Sequence, residues 1–281
     1  MEIFPRKLSR RQFFVFAPAA VLGYMRFAEP HWLGVRRHTV KMSGAGGREP
    51  LTVLQLSDFH ASDVVSLKFI ERSVSLGLSS CKPDLVCLTG DFITTMWQDW
   101  AGYTRVLKRL AEAAPTYAVL GNHDGGRWVV GRKGYADHHL VRAMLAEAEV
   151  QLLLNARTVF NLRGWRLNVV GLGDTWADEL NASVAFEGID RAQPTLLLSH
   201  NPDTKDEVGE WPWDLMLSGH THGGQLVVPF LGTPFAPVLD HRYVAGLNRW
   251  EERWIHTTKG VGNLHGARLN CRPEVSVLTL A

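Results

Sequence analysis

The chain has 281 residues, 46% of them hydrophobic and 21% charged, which is ordinary for a soluble globular protein and enough for one large domain or two small ones. A formal net charge of +2 excludes the broad basic surface that nucleic-acid binding needs. Three cysteines without CxxC spacing, Cys81, Cys87 and Cys271, fit neither a disulfide framework nor a thiolate zinc site, and read as small apolar residues.

The first segment in chain order is a basic front, Arg6, Lys7, Arg10 and Arg11, followed by an apolar run over residues 13–25. That run falls short of the ~20 apolar residues a spanning helix requires. Two readings stay open. "SRRQFF" with a small-residue "APA" site fits a twin-arginine export signal. An uncleaved interfacial anchor fits too, with the basic residues at lipid headgroups and Phe13, Phe14 and Phe16 in the acyl boundary. Both imply a signal or membrane-anchor segment over 1–34 and a folded domain over 35–281. Both also place the protein at the inner membrane, either on its cytoplasmic face or exported.

Beyond a β-like stretch at 35–42 and a turn-rich break at 43–50, apolar runs alternate with helical patterns. "LTVLQLSD" predicts a buried strand and 66–80 a helix. "PDLVCLTGD" predicts a strand, 103–114 a helix, "TYAVLGNHD" a strand and 135–149 a helix. "QLLLN", "TVFNL" and "WRLNVVGLGD" are shorter strands, and "PTLLLSHNPD" and "WDLMLSGHTH" two more. Residues 225–281 carry many turns and short β-like runs, ending in "EVSVLTL". Alternating strands and helices imply an α/β core, and the strand-rich end a mixed sheet. There is no internal repeat.

Five of these strands stop alike, an apolar run giving way to a polar cluster: "LQLSDFH", "VCLTGD", "AVLGNHD", "LLLSHNP" and "LMLSGHTH". Ligands of α/β sheets gather at the carboxyl ends of strands. Pooled, these ends supply Asp58, His60, Asp91, Asn122, His123, Asp124, His200, His220 and His222. Asp58 and His60 are two residues apart, as are His220 and His222, so each pair shares one face of an extended strand end. Imidazole and carboxylate donors together favour Mn, Fe, Zn or Co over Ca or Mg. The donors are too many for one ion.

Asp-x-His, Gly-Asp, Gly-Asn-His-Asp, a lone His after a strand and Gly-His-x-His, in this order over residues 51–222, resemble the calcineurin-like metallophosphoesterases. The resemblance implies a four-layer α-β-β-α sandwich of two mixed sheets, with the metallophosphoesterase domain at 35–281. It implies two divalent transition-metal ions, manganese being the expected choice. Asp58, His60, Asp91 and His222 would hold one; Asp91, Asn122, His200 and His220 the other, Asp91 bridging. His123, outside the ligand set, would stand beside the leaving oxygen as a proton donor or charge stabiliser. Asp124 would orient it or cap the turn. Two such ions would supply water activation and charge stabilisation.

"HNPD", "GHTHGGQ", "PFAPV", "RYVAGL" and "GVG" with "CRPEV" resemble a bacterial subgroup of this family. It holds twin-arginine-exported phosphodiesterases and a membrane-associated UDP-2,3-diacylglucosamine pyrophosphohydrolase of lipid A synthesis. The expected reaction is cleavage of that lipid-linked nucleotide to UMP and acylated glucosamine 1-phosphate by a monomer. The alternatives are an exported phosphodiesterase of different substrate and a non-catalytic binding module on the same fold. Arg127, Arg132 and Lys133 are candidates for a second phosphate or a solvated face. Trp97, Trp100 and Tyr103, shortly after Asp91, are candidates for an acyl or base pocket or for helix packing, and the loop 230–235 for an acyl groove. His138 and His139 read as surface residues, and Asp174 as a turn or supporting residue.

Overall fold

Apolar runs and half-apolar stripes sort into two sheets and their covering helices over residues 10–43 and 46–281, which the computed structural model describes. An N-terminal helix α1 (Arg10–Gly23) leads into β1 (Gly34–Val40) and β2 (Leu51–Leu56). Then come α2 (Leu67–Ser80), β3 (Leu85–Thr89), α3 (Trp100–Ala113), β4 (Thr116–Val119), α4 (Arg127–Val130), α5 (His139–Glu147) and β5 (Gln151–Leu152). The second half holds β6 (Ala156–Leu162), β7 (Trp165–Gly171), α6 (Ala182–Ala185), β8 (Thr195–Leu198), β9 (Leu215–Ser218), β10 (Gly246–Trp250), β11 (Arg253–Thr257) and β12 (Glu274–Leu280).

The first sheet runs β1-β12-β2-β3-β4-β5 and the second β10-β11-β9-β8-β7-β6. Each is mixed. β2 to β5 are parallel while β12 opposes β2; β7, β8, β9 and β11 are parallel while β6 and β10 are antiparallel edges. The sheets pack face to face through Val53, Leu85, Val119, Leu167, Leu196 and Leu215. Central parallel strands are buried on both faces, so β3 reads LVCLT with every residue buried.

Helices α2, α3 and α5 cover the outer face of the first sheet. Ser66 caps α2 by accepting the Phe69 N–H. Asp99 caps α3 through a 2.8 Å bond from the Gly102 N–H, so that helix starts three residues before the expected 103. Tyr103, Val106, Leu107 and Leu110 form its buried stripe. α5 starts later than expected because residues 131–138 turn. The fourth layer is thin. Among the described residues the short α6 and packed side chains such as Phe186, Val208, Trp213 and Tyr243 cover the second sheet.

The N-terminal segment is part of this packing. After α1 the chain continues through a wide turn (Tyr24–Ala28) and a tight one (Glu29–His31). Glu29 and Pro30 are buried, Leu33 joins the core under α2, and the Met25 carbonyl accepts the Arg268 N–H at 3.0 Å. The expected boundary at residue 34 therefore falls inside packed structure, which begins near Met25. Arg6 and Lys7 lie outside the described residues, as do the side chains of Arg10, Arg11, Phe13 and Phe14. No described helix is long and apolar enough to cross a membrane.

Candidate metal centre

The five polar strand ends converge. Ser57 to His60 follow β2, Gly90 and Asp91 follow β3, and residues 121–124 follow β4; His200 follows β8 and residues 219–222 follow β9. Parallel strands of the two facing sheets thus deliver their carboxyl ends to one place. The backbone must bend sharply there. Asp58, His60, Asp91, His220 and His222 all take left-handed φ, between 49° and 69°. Such conformations cost on the order of 1–3 kcal/mol each and persist where surrounding structure enforces them. Part of the enforcement is close backbone approach: a Cβ at Gly121 would lie 2.2 Å from Asp91 Oδ1.

Two sets of donor atoms meet at Asp91. Its Oδ2 lies 3.3 Å from His60 Nε2 and 3.2 Å from His200 Nε2. On one side His60 Nε2 faces His222 Nε2 at 2.9 Å, and His222 Nε2 is 3.5 Å from Asp58 Oδ1. On the other, His220 Nδ1 lies 3.0 Å from Asn122 Oδ1 and 3.2 Å from His200 Nε2. All seven side chains are buried. Ligands of one ion at ~2.0–2.2 Å stand at about these separations from one another.

The donor set fits divalent cations. Asp58 Oδ2 is buried without a hydrogen-bond partner. Asp58 with His60 and His222, and Asp58 with Asp91 and His200, each bring ligand atoms within 4.8 Å of one another. The ring nitrogens are readied by their outer partners. Thr89 O can only accept, so the 2.7 Å contact keeps a proton on His200 Nδ1 and makes Nε2 the nitrogen that gives up its proton to an ion. Burial lowers His60 to about 4 and His220 to about 3, and with His60 and Arg268 nearby holds His222 well below the usual range. These three are neutral and available at neutral pH. Burial alone would push Asp91 up, but His200 and His123 outweigh it and keep the carboxylate ionised.

His123 lines the cleft above the two sets, its ring 5.0 Å from that of His60. Its Nδ1 donates to Thr94 O at 2.7 Å, which turns Nε2 toward the open side. Asp124 does not orient it. Both Asp124 oxygens are taken up by the N–H groups of Asp91, Phe92, Ile93 and Gly121, at 2.7–3.3 Å. The expected orienting role of Asp124 is corrected: it fixes the turn that carries Asp91.

The substrate-binding candidates are rearranged too. Tyr103 is fully buried and donates to Phe92 O at 2.9 Å, while Trp97 and Trp100 pack against the α2–α3 core. They serve helix packing. Arg127 is exposed and tied to Asp178 at 2.7 Å, Arg132 stacks on Trp128 at 3.8 Å, and Lys133 is exposed. None of these six residues lines the cleft. A cleft of about 430 Å³ opens over the donors, walled instead by Trp128, Trp176, Leu226, Phe235, Pro237 and Leu264. Trp176 stands edge-on to His220, ring centroids 4.3 Å apart. Trp128 lies between the candidates Arg127 and Arg132 in the chain, and Trp176 two residues after Asp174. Asp174 is a buried turn residue that accepts the Ala177 N–H. His138 is not a surface residue: it is half-buried against Glu179 Oε1 at 3.1 Å, whereas His139 is exposed.

Two further residues escaped the motif reading. Arg268 is fully buried and donates to the carbonyls of Lys259, Gly262 and Cys271 at 2.7–3.0 Å. It thereby knits together the loop behind His222. Glu29 accepts the N–H groups of Asn270 and Cys271, and the Cys271 thiol donates to His222 O at 3.1 Å. The N-terminal segment thus reaches a metal-site strand end through one intervening residue. The three cysteines are free.

Residues 51–224 match the Calcineurin-like phosphoesterase family. The chain belongs to that family. The phosphoesterase is 44% identical over 279 residues to "Phosphodiesterase YaeI" of Escherichia coli (strain K12), covering 97% of this chain and 99% of that one. It is 29% identical to "Uncharacterized metallophosphoesterase YkuE" of Bacillus subtilis (strain 168), over 98% of both chains. It is 26% identical to "UDP-2,3-diacylglucosamine pyrophosphatase LpxG" of Chlamydia trachomatis, covering 81% of this chain and 83% of that one. The family implies a binuclear divalent centre, and the Asp and His groups described above can bind such ions. The enzyme is a metal-dependent phosphoric ester hydrolase of the subgroup its motifs resemble.

Proposed function

We propose that the enzyme hydrolyses the phosphodiester or pyrophosphate bond of a substrate carrying acyl chains, with UDP-2,3-diacylglucosamine as the specific candidate. The observation that carries this reading is the cleft itself, whose floor is the Asp91-centred donor cluster and whose walls are apolar. Asp58, His60, Asp91 and His222 would hold one divalent ion, and Asp91, Asn122, His200 and His220 the second. Manganese is the first metal to test, with Fe, Zn and Co behind it. The ions supply water activation and charge stabilisation when bound.

The protein's own groups do the rest. Asp91 fixes the spacing of the two ligand sets through one shared oxygen. His123, held at Nδ1 by Thr94 O, presents Nε2 to the leaving oxygen and donates the proton it needs when protonated. Trp128, Trp176 and Phe235 exclude water and receive the apolar part of the substrate. The N-terminal segment keeps the enzyme at the inner membrane.

A second reading, an exported phosphodiesterase of a different substrate, is favoured by one observation: among the described residues no Arg or Lys lines the cleft to receive a second phosphate. Turnover of UDP-2,3-diacylglucosamine of varied acyl length separates the two. Each methylene buried is worth ~0.8 kcal/mol, so shortening both chains by several carbons is expected to cut kcat/KM by orders of magnitude. Equal efficiency on an unacylated UDP-sugar sinks the acyl reading. Replacing Arg10 and Arg11 together by Lys separates the locations: twin-arginine export fails, whereas an interfacial anchor survives.

A further inference from the structure

Residues 262–267 form a wall shared by two cavities. Leu264, His265 and Ala267 line the metal cleft, while Gly262, Asn263 and Gly266 line a second cavity of about 280 Å³. Arg26 and His31 from the N-terminal segment close it on one side, and Lys68 and Arg72 of α2 on another. Among the described residues Asp63 is the one carboxylate in its lining, against the three cations Arg26, Lys68 and Arg72, so Lys, Arg and Asp together leave +2. None of Arg26, Lys68 and Arg72 has an ion-pair partner among the described residues, and neighbouring Glu71 is already paired with Arg109.

The surroundings of this cavity are apolar and exposed. Phe27 and Trp32, adjoining Arg26 and His31 in the chain, are 72% and 53% exposed, and Val64 on the cavity's lip is 41% exposed. Phe16, Val21 and Leu22 of α1 are exposed as well. The turn 228–232 points Phe230 and Leu231 fully or largely into solvent. Its base is bridged to Leu269 (Leu226↔Leu269), and the adjacent Arg268 N–H reaches Met25 O. The exposed turn and the N-terminal segment at Met25 are therefore both tied to the adjacent residues Arg268 and Leu269. Free cations beside exposed aromatic and aliphatic side chains are the pattern of a surface that lies on an anionic bilayer.

We propose that the Arg26–Lys68–Arg72 cavity receives the phosphate of an anionic phospholipid headgroup, with the apolar rim in the acyl boundary. This rests on the membrane reading given above and adds a specific lipid site to it. Charge and apolar rim together single out a lipid, since a soluble anion has no use for the exposed Phe27 and Trp32. An enzyme seated this way holds its metal cleft one loop, residues 262–267, away from the bound headgroup.

The test is vesicle binding by the full chain, on phosphatidylcholine alone and with phosphatidylglycerol added. Each cation at an anionic surface is worth ~1 kcal/mol, or about fivefold in affinity. Replacing Arg26, Lys68 and Arg72 together by Ser is expected to weaken the phosphatidylglycerol preference on the order of 100-fold. Turnover of a soluble phosphodiester is expected to be unchanged. Replacing Lys82, Arg105 and Arg166 by Ser, an equal charge change elsewhere, is expected to have much less effect. Equal loss in both triple variants overturns the cavity and leaves diffuse charge. Binding of inorganic phosphate that competes with the lipid and vanishes in the first variant reassigns the cavity to a soluble anion. Equal wild-type binding to both vesicles overturns the headgroup site alone; no binding to either overturns the membrane reading as well.

Discussion

The Asp124 carboxylate accepts the backbone N–H of Asp91 at 3.0 Å, so a residue two beyond one metal-site donor holds the backbone of another. Removing it strands four buried N–H groups, each costing about 1–3 kcal/mol when left unpaired. Asp124→Ala is expected to lower the melting temperature strongly and to lose metal along with activity. His123→Asn gives up the ring's bond to the Thr94 carbonyl but keeps the His123 main-chain N–H on Asp91 Oδ1, and is expected to keep its metals and slow turnover by roughly 10²–10⁴-fold. Elemental analysis, melting curves and turnover on the two variants decide it. Full metal content in Asp124→Ala would refute the turn-fixing role; metal loss in His123→Asn would refute the proton-donor role.

The ligand strand ends were readable because each follows an apolar run that could only be a buried strand, and strands of one parallel sheet end together. Their left-handed backbone was not readable, because Asp and His, though enriched at positive φ, still adopt it in only a small minority of positions. The aromatic wall was misplaced for a related reason. Trp97, Trp100 and Tyr103 are near Asp91 in the chain, but the Asp99 cap starts α3 there and turns Tyr103 into the core. Trp176 approaches His220 from 44 residues away, a contact that chain proximity does not reveal. Arg268 and Glu29 looked like ordinary charged residues; their importance lies in backbone carbonyls and N–H groups that only the folded chain presents.

Asp91 is the one side chain assigned to both ions in the proposed ligand sets. Asp91→Ala is expected to remove both ions, so elemental analysis falls from close to two per chain toward none. Asn122→Ala takes a neutral donor from one set and is expected to leave the Asp58–His60–His222 set loaded. Activity without metal in the wild type would sink the whole assignment.

Metal affinity should climb with pH. In the metal-free protein burial pulls His200 down, but Asp91, Asp58 and Asp174 outweigh it and hold it well above the ordinary histidine value. Burial lifts Asp58 to about 6. Both must shed protons to bind a cation, whereas His60, His220 and His222 are already neutral. Uptake is therefore expected to release about two protons below pH 6 and about one above it, until the pH passes the raised His200 value. Each proton released steepens affinity by about tenfold per pH unit. The raised His200 also stabilises the metal-free fold below its unfolded pKa, near 6.5, and that contribution is lost as the pH rises through its folded value. The melting-temperature gain on adding metal should accordingly widen with pH. Calorimetric titration in buffers of different ionisation enthalpy, near pH 6 and near pH 8, counts the protons directly; flat affinity across that interval contradicts the assignment.

The Glu29 carboxylate ties the N-terminal segment to the loop behind His222. It is 1% exposed, and it is the side-chain acceptor of the Asn270 and Cys271 N–H groups. Glu29→Ala is expected to leave the buried Cys271 N–H unpaired, at about 1–3 kcal/mol, with a smaller loss at Asn270, which solvent reaches. Glu29→Gln keeps one acceptor oxygen and should lose about half as much. Because the Cys271 thiol bonds to His222 O, the loss is expected to appear in metal affinity as well as in melting temperature. Truncation locates the same joint without a point substitution. Removing residues 1–23 deletes the basic block and α1 but spares Glu29, Pro30 and Leu33, so stability and metal content should stay near those of the full chain. Removing 1–33 takes the two buried residues and the core Leu33 with it, and both quantities should fall together. If the shorter chain melts and binds metal like the longer one, the segment is only a leader and the domain begins where the sequence alone placed it.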